Sequence, residues 1–166
     1  MIQTVAANIL NLFAGFCSII SVEGKNKNQI VFIEFIGSIL RIISNVLVRS
    51  WSDAIAKVIK SITQFLSLEN KLNKSLFYLV SIIYIAICLV VTYLSKDLRC
   101  LVAIIPSVIE FYSLLVTSTK DYRWYRIITK IFWTINNIIF KLYVGIIFDL
   151  IIMVGDFIKI KREKKC

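Results

Sequence analysis

Apolar residues fill this chain in runs that the charges interrupt only at intervals. No charge occurs from Met1 to Val22, and none between Lys74 and Lys96, where the sequence reads LFYLVSIIYIAICLVVTYL. About 20 such residues, rising 1.5 Å each, match a hydrocarbon core of roughly 30 Å. Seven segments follow this pattern, at residues 2–22, 30–48, 52–67, 76–94, 101–118, 124–140 and 143–160. Six of them are apolar enough on hydropathy alone. A transmembrane barrel is disfavoured, because barrel strands alternate apolar and polar residues and these segments are apolar on every side. The expected class is an all-α membrane protein.

The third segment differs. Asp53, Lys57, Lys60 and Gln64 fall on one side, while Ile55, Val58, Ile59, Ile62 and Phe65 or Leu66 form the opposite face at helical spacing. Such a helix either lies on the membrane surface or spans with its polar stripe turned to a cavity. Basic residues do not decide. With seven spans, one side collects Lys25, Lys27, Lys71, Lys74, Lys120, Arg123, Arg126 and five tail residues, against Arg49, Lys96, Arg99 and Lys141 on the other. That puts the N-terminus outside and the C-terminus in the cytoplasm. With six spans, an equally lopsided count puts both termini inside.

An internal repeat separates the two. At an offset of 92 residues, SILRIISNVLVRSWSDAIAKVI lies over KIFWTINNIIFKLYVGIIFDLI. Asn45 meets Asn137, Arg49 meets Lys141 and Trp51 meets Tyr143; these are costlier coincidences than apolar-on-apolar matches. The repeat equates the doubtful third segment with residues 144–158, which read as a span. Parallel copies of three helices need an odd number of spans between them, and the fourth segment supplies one. The expected fold is a seven-helix bundle of two parallel triple-helix repeats joined by a linker helix, three plus one plus three. Its parts are residues 1–67, the linker 68–97, residues 98–160 and a basic cytoplasmic tail at 161–166.

Composition narrows the chemistry. The net charge of +10 invites a nucleic-acid partner, but the basic residues sit in short loops and in the tail KIKREKK, where membrane proteins keep cytoplasmic positive charge. No nucleic acid is expected. There is no His, and Cys17, Cys88, Cys100 and Cys166 show no CxxC spacing; neither a metal nor any other cofactor is expected. The first 22 residues lack a basic leader and a small-residue cleavage site, so they resemble a retained first helix. No nucleophile with a base emerges, so an enzyme is not expected.

The loop GKNKNQ leading to IEFIGSILRIISNVLVRSWSDAI, and the stretch LVAIIPSVIEFYSLLVTSTKDYRWYRIITKIFWTINNIIFKLYVGIIFDL, resemble the bacterial YgjV-type inner-membrane proteins. The three-one-three plan is similar to that of SWEET sugar transporters and their half-size SemiSWEET relatives in the PQ-loop superfamily. That resemblance implies an inner-membrane carrier working by alternating access. The chain departs from the superfamily in lacking any Pro-Gln pair. Its single proline, Pro106, faces Ala14 across the repeat, so one of two hinge positions remains. Trp133 likewise faces Arg41.

The candidate site follows from the repeat. Asn45 and Asn137 are amides at membrane depth, and Arg41 and Trp133 each lie one turn before them, so Asn45, Asn137, Trp133 and Arg41 are expected to line one midplane cavity. Asn136 is a third such amide. Pro106 is the expected hinge, with a static kink as the alternative. Lys57 and Asp149 coincide across the repeat and are expected to form an inward-facing charge pair. Glu34, Glu110 and Lys130 are further charges in or near spans. The expected partners are the bilayer and a small polar solute, with a homo-oligomer compatible. The alternative is a non-transporting membrane component that keeps the fold.

Overall fold

A computed structural model of the protein describes residues 2–47, 51–95, 99–139 and 143–163. They form seven α-helices: α1 Ile2–Ile20, α2 Lys27–Leu47, α3 Trp51–Leu68, α4 Lys74–Ser95, α5 Arg99–Ser113, α6 Thr119–Ile139 and α7 Tyr143–Glu163. A 3₁₀ turn, Ser21–Glu23, extends α1. The many β-branched residues do not prevent helix formation, because lipid cannot satisfy a backbone polar group and the helix satisfies its own.

Polar side chains set the helix ends. Asn26 accepts from the Gln29 N–H at 2.9 Å, Asn73 from Leu76 at 2.8 Å and Ser118 from Asp121 at 3.3 Å; each oxygen satisfies an N–H that the first turn leaves open. At the end of α3, Asn70 takes a left-handed φ of 55°. Lys71 then donates to the Leu66 carbonyl at 2.9 Å, which closes the helix and turns the chain toward α4.

In the packing, α2 lies between α1 and α3, and α6 lies between α5 and α7. Helix α4 packs mainly on α5, through Phe77, Tyr84, Cys88 and Phe111. Contacts of α1 with α7 and of α3 with α5 join the first three helices to the last three. Close approach needs small residues. A Cβ on Gly37 of α2 would stand 3.2 Å from Cys17 Cβ and 3.3 Å from the Ala14 carbonyl oxygen of α1.

The bundle is polar inside and apolar outside. Among the described residues, buried polar and charged side chains outnumber buried apolar ones, whereas Leu, Ile, Val and Phe crowd the exposed surface of every helix. In water this arrangement would sacrifice the hydrophobic driving force; in a bilayer the acyl chains cover the apolar face. The protein is a membrane-spanning helical bundle.

The third segment settles into the bundle. Lys60, Ser61, Thr63, Gln64 and Ser67 of α3 are buried, and Ile55, Val58, Ile62 and Phe65 are exposed. The polar stripe faces inward rather than toward a membrane surface. Two expectations need correction. Among the described residues, only Val5–Glu23, Lys27–Leu47 and Lys74–Leu94 are long and apolar enough to cross a membrane on their own composition, where six such segments were expected; α6 in particular turns Arg123 and Arg126 inward. And α6 begins at Thr119 rather than near residue 124, so these two arginines belong to a helix and not to a charged loop.

A single tryptophan placed at Ile62, on a background lacking the native tryptophans, is expected to be quenched by brominated acyl chains. The same residue at Gln64 is expected to be protected. Equal quenching at both positions would contradict the inward polar stripe.

Candidate functional site

Buried charges divide between two ends of the bundle. At the end where α2 and α6 start and α7 finishes, Arg123, Arg126, Asp156, Glu34 and Tyr122 are all buried. Arg123 donates from Nη1 to Asp156 Oδ1 at 2.8 Å and to the Val22 carbonyl at 3.0 Å, and from Nη2 to the Gly24 carbonyl at 2.6 Å. It thereby ties α6 to α7 and to the end of the first hairpin. Arg126 completes a chain of charges, with Nε 2.8 Å from Asp156 Oδ2 and Nη1 3.5 Å from Glu34 Oε1. Tyr122 donates its hydroxyl to Glu34 Oε2 at 3.1 Å. Ile30, Val31 and Leu114 pack around Tyr122 and exclude water from this end.

The other end is hollow. A cavity of about 860 Å³ is lined from α1 by Asn8, Asn11, Leu12 and Gly15, and from α2 by Arg41. Lys57 and Lys60 of α3, Glu110 of α5, and Lys130, Trp133 and Asn137 of α6 continue the wall, which Gly145, Phe148, Asp149 and Ile152 of α7 close. The positions on α7 fall in its first half and those on α2 and α6 in their second halves, opposite the arginine cluster. Leu12, Gly15, Lys60 and Glu110 lie past the middle of α1, α3 and α5, so the cavity reaches the middle of the bundle. The volume is in the range of small-molecule sites, roughly 300–1,000 Å³.

Its charges are ordered by pairing. Lys60 Nζ lies 2.6 Å from Glu110 Oε1, which links α3 to α5. Lys130 Nζ lies 2.9 Å from Asp149 Oδ1, and Asn137 Nδ2 donates to Asp149 Oδ2 at 2.9 Å, which links α6 to α7. Asn137 fits here because residue 145 is glycine; a Cβ there would stand 2.7 Å from Asn137 Nδ2. Arg41 donates from Nη2 to the Ser18 hydroxyl at 3.1 Å. The Lys57 ammonium stands 5.2 Å from the centroid of the Trp133 ring, a cation–π contact.

Arg41, Trp133 and Asn137 therefore share one cavity, with Lys57 and Asp149. Asn45 is not among its lining residues. Its neighbour Ser44 is the one turned toward α1, where it donates to the Ala7 carbonyl at 2.9 Å. Lys57 and Asp149 both line the cavity, where Asp149 is ion-paired with Lys130, two α6 turns before Asn137. Pro106 is buried inside α5 and does not line the cavity. Asn136 is buried beside these groups on α6.

Asn8 and Asn11 were missed as site residues, although their i, i+3 spacing in an otherwise apolar helix was a readable signal. Lys60, Glu110 and Lys130 were noticeable as charges inside spans, but nothing in their spacing says which partner each takes. Among the described residues, no group of three or more His, Cys, Asp or Glu could hold a metal ion.

A family model described as a bacterial inner membrane protein, Imp-YgjV, matches residues 5–165. The chain belongs to the Imp-YgjV family. No curated protein and no solved structure matches it. Membership places this bundle in the bacterial inner membrane, where Imp-YgjV proteins are named to reside, and agrees with the polar interior and apolar exterior.

Neutralising one member of a buried pair leaves the other charged, which typically costs about 3–5 kcal/mol. Asp156→Asn, which leaves Arg123 without a carboxylate and Arg126 with Glu34 alone, is expected to lose about that much in thermal unfolding in lipid. At the cavity, Lys130→Met alone and Asp149→Leu alone are each expected to be destabilising, and the double substitution to recover most of the loss. Additive losses in the double variant would show that the two side chains do not interact.

Proposed function

We propose that this chain is a small SWEET-like carrier that moves a small polar solute across the inner membrane by alternating access. The observation that carries the reading is the division of the bundle: a charged cavity reaching from one end to the middle, and a buried ion-pair cluster filling the other end. Moving a solute through would require the cluster to part and the cavity to close. The two arginines are held differently. Arg123 donates three hydrogen bonds. The Arg126 nitrogens have no aligned hydrogen-bond acceptor, and its hold on Asp156 and Glu34 is a matter of charge and proximity, suited to a contact that breaks and reforms.

Several features support the three-one-three repeat on which alternating access depends. Helices α2 and α6 begin at positions 92 apart, Lys27 and Thr119. Under a pseudo-two-fold axis, the α1–α7 contact exchanges with α3–α5, and both are present. Equivalent residues also meet at the centre. The Lys27 backbone N–H donates to the Thr119 hydroxyl at 3.1 Å, and Glu34 and Arg126 are the equivalent pair of opposite charge that make contact. On this reading residues 1–67 and 98–160 are the two moving halves, with 68–97 the linker. Pro106 is the hinge of the second half, since it cannot donate to the carbonyl one turn back.

Sidedness follows from the remaining basic residues. Arg123 and Arg126 drop out of the loop count, yet Lys25, Lys71, Lys74, Lys120 and the tail still outnumber the basic residues at the other end. The tail and the ion-pair cluster then face the cytoplasm, and the cavity lies in the periplasmic half.

Two measurements test this. A cysteine introduced near residue 2, on a background without native cysteines, is expected to react with an impermeant reagent in intact cells; protection would reverse the topology. In proteoliposomes, counterflow of a labelled solute from a panel of small polar compounds is expected, and Asp149→Asn is expected to slow it about tenfold or more, the effect of losing a charge-assisted contact at the site. Absence of flux for every compound, with the protein folded, would contradict a carrier.

A further inference from the structure

The carrier reading leaves the solute unspecified, and the charges of the cavity narrow it. The lining holds four cations, Arg41, Lys57, Lys60 and Lys130, against two carboxylates, Glu110 and Asp149. Each carboxylate already has a lysine, Glu110 with Lys60 at 2.6 Å and Asp149 with Lys130 at 2.9 Å. Arg41 is held by a neutral partner, the Ser18 hydroxyl at 3.1 Å. That contact uses one of the five N–H donors of a guanidinium, on a half-buried side chain. A positive charge at this depth in a bilayer is unfavourable without a counter-charge, and the lining carries an excess of positive charge overall.

We infer that the cavity binds a small solute through an anionic oxygen group, a carboxylate or phosphate, held by the free fork of Arg41. The guanidinium is planar and always charged, and its paired donors match two oxygens of such a group. Asn8 and Asn11 on α1 supply amides for the neutral part of the solute, and Leu12 and Phe148 supply apolar wall. Lys60 and Lys130 are occupied by their carboxylates and serve the fold. The inference rests on the carrier reading only for the statement that the bound group moves; binding itself does not require it.

The same oxyanion could arrive on a soluble metabolite or on a phospholipid headgroup, and one experiment distinguishes the sources. The full chain is placed in nanodiscs of phosphatidylcholine alone or with phosphatidylglycerol, and its thermal unfolding is followed with benzoate, phenyl phosphate, benzamide or benzyl alcohol added. The expected result is that the anions raise the Tm and the neutral counterparts do not. Arg41→Gln is expected to weaken the anion effect about tenfold or more, and Arg41→Lys, which keeps the charge without the fork, to weaken it less. Stabilisation by phosphatidylglycerol alone, lost in Arg41→Gln, would support the site and assign the oxyanion to lipid. Equal stabilisation by neutral and anionic compounds, no stabilisation by any compound or lipid, or an anion effect untouched by Arg41→Gln would each overturn the inference. Counterflow of the same four compounds separates it from the carrier reading. Flux without anion preference would retain a carrier and reject the oxyanion site; anion binding without flux would do the reverse.

Discussion

Asp156 is fully buried between two arginines, and Glu34 receives the second arginine together with a tyrosine hydroxyl. Separating any of these charges inside a bilayer strands an ion where neither water nor lipid can solvate it. The cluster therefore dictates how α2, α6, α7 and the turn after α1 come together. The hollow side depends on that junction, because α2, α6 and α7, which meet at the cluster, also supply walls of the cavity. The apolar exterior contributes no comparable constraint, since lipid packs against isoleucine from any helix equally well.

The polar interior also explains why the cavity persists. Hydrophobic collapse does not act between helices in lipid, so a void between them closes only if side chains meet across it. Here they meet pairwise along the walls, α3 with α5 through Lys60 and Glu110 and α6 with α7 through Lys130 and Asp149. Pairing neighbours fixes the walls to one another and leaves the centre open. Gly15 and Gly145 take part by letting Phe148 and Asn137 close in on the adjoining helix.

Much of this was legible in the sequence. The apolar runs placed all seven helices to within five residues at each end; the spacing of Lys57, Lys60 and Gln64 gave the stripe on α3, and the repeat, not the spacing, turned it inward. The repeat offset brought Arg41, Trp133 and Asn137 to one cavity. It did not place Asn45, because a shared register says nothing about the rotation of α2, which Ser44 sets by bonding to the Ala7 carbonyl. Nor did it find the cluster at the closed end. Arg123 and Arg126 read as loop charges, since hydropathy treats an arginine paired in the interior and one in water alike. Pairing was the least legible property: Asp149 had Lys57 as its formal equivalent and takes Lys130, a choice made by distances between helices that no spacing within one helix encodes.

The central proposal is that the ion-pair cluster separates the cavity from the cytoplasmic side. Cysteine accessibility tests it directly, with Asn11→Cys on a cysteine-free background in sealed vesicles of known orientation and an impermeant thiol reagent added to either face. Labelling from the periplasmic face alone is expected, and combining Asn11→Cys with Arg126→Gln, which weakens the seal, is expected to add labelling from the cytoplasmic face. A cysteine that reacts from neither face, or from both faces while the cluster is intact, would contradict the account.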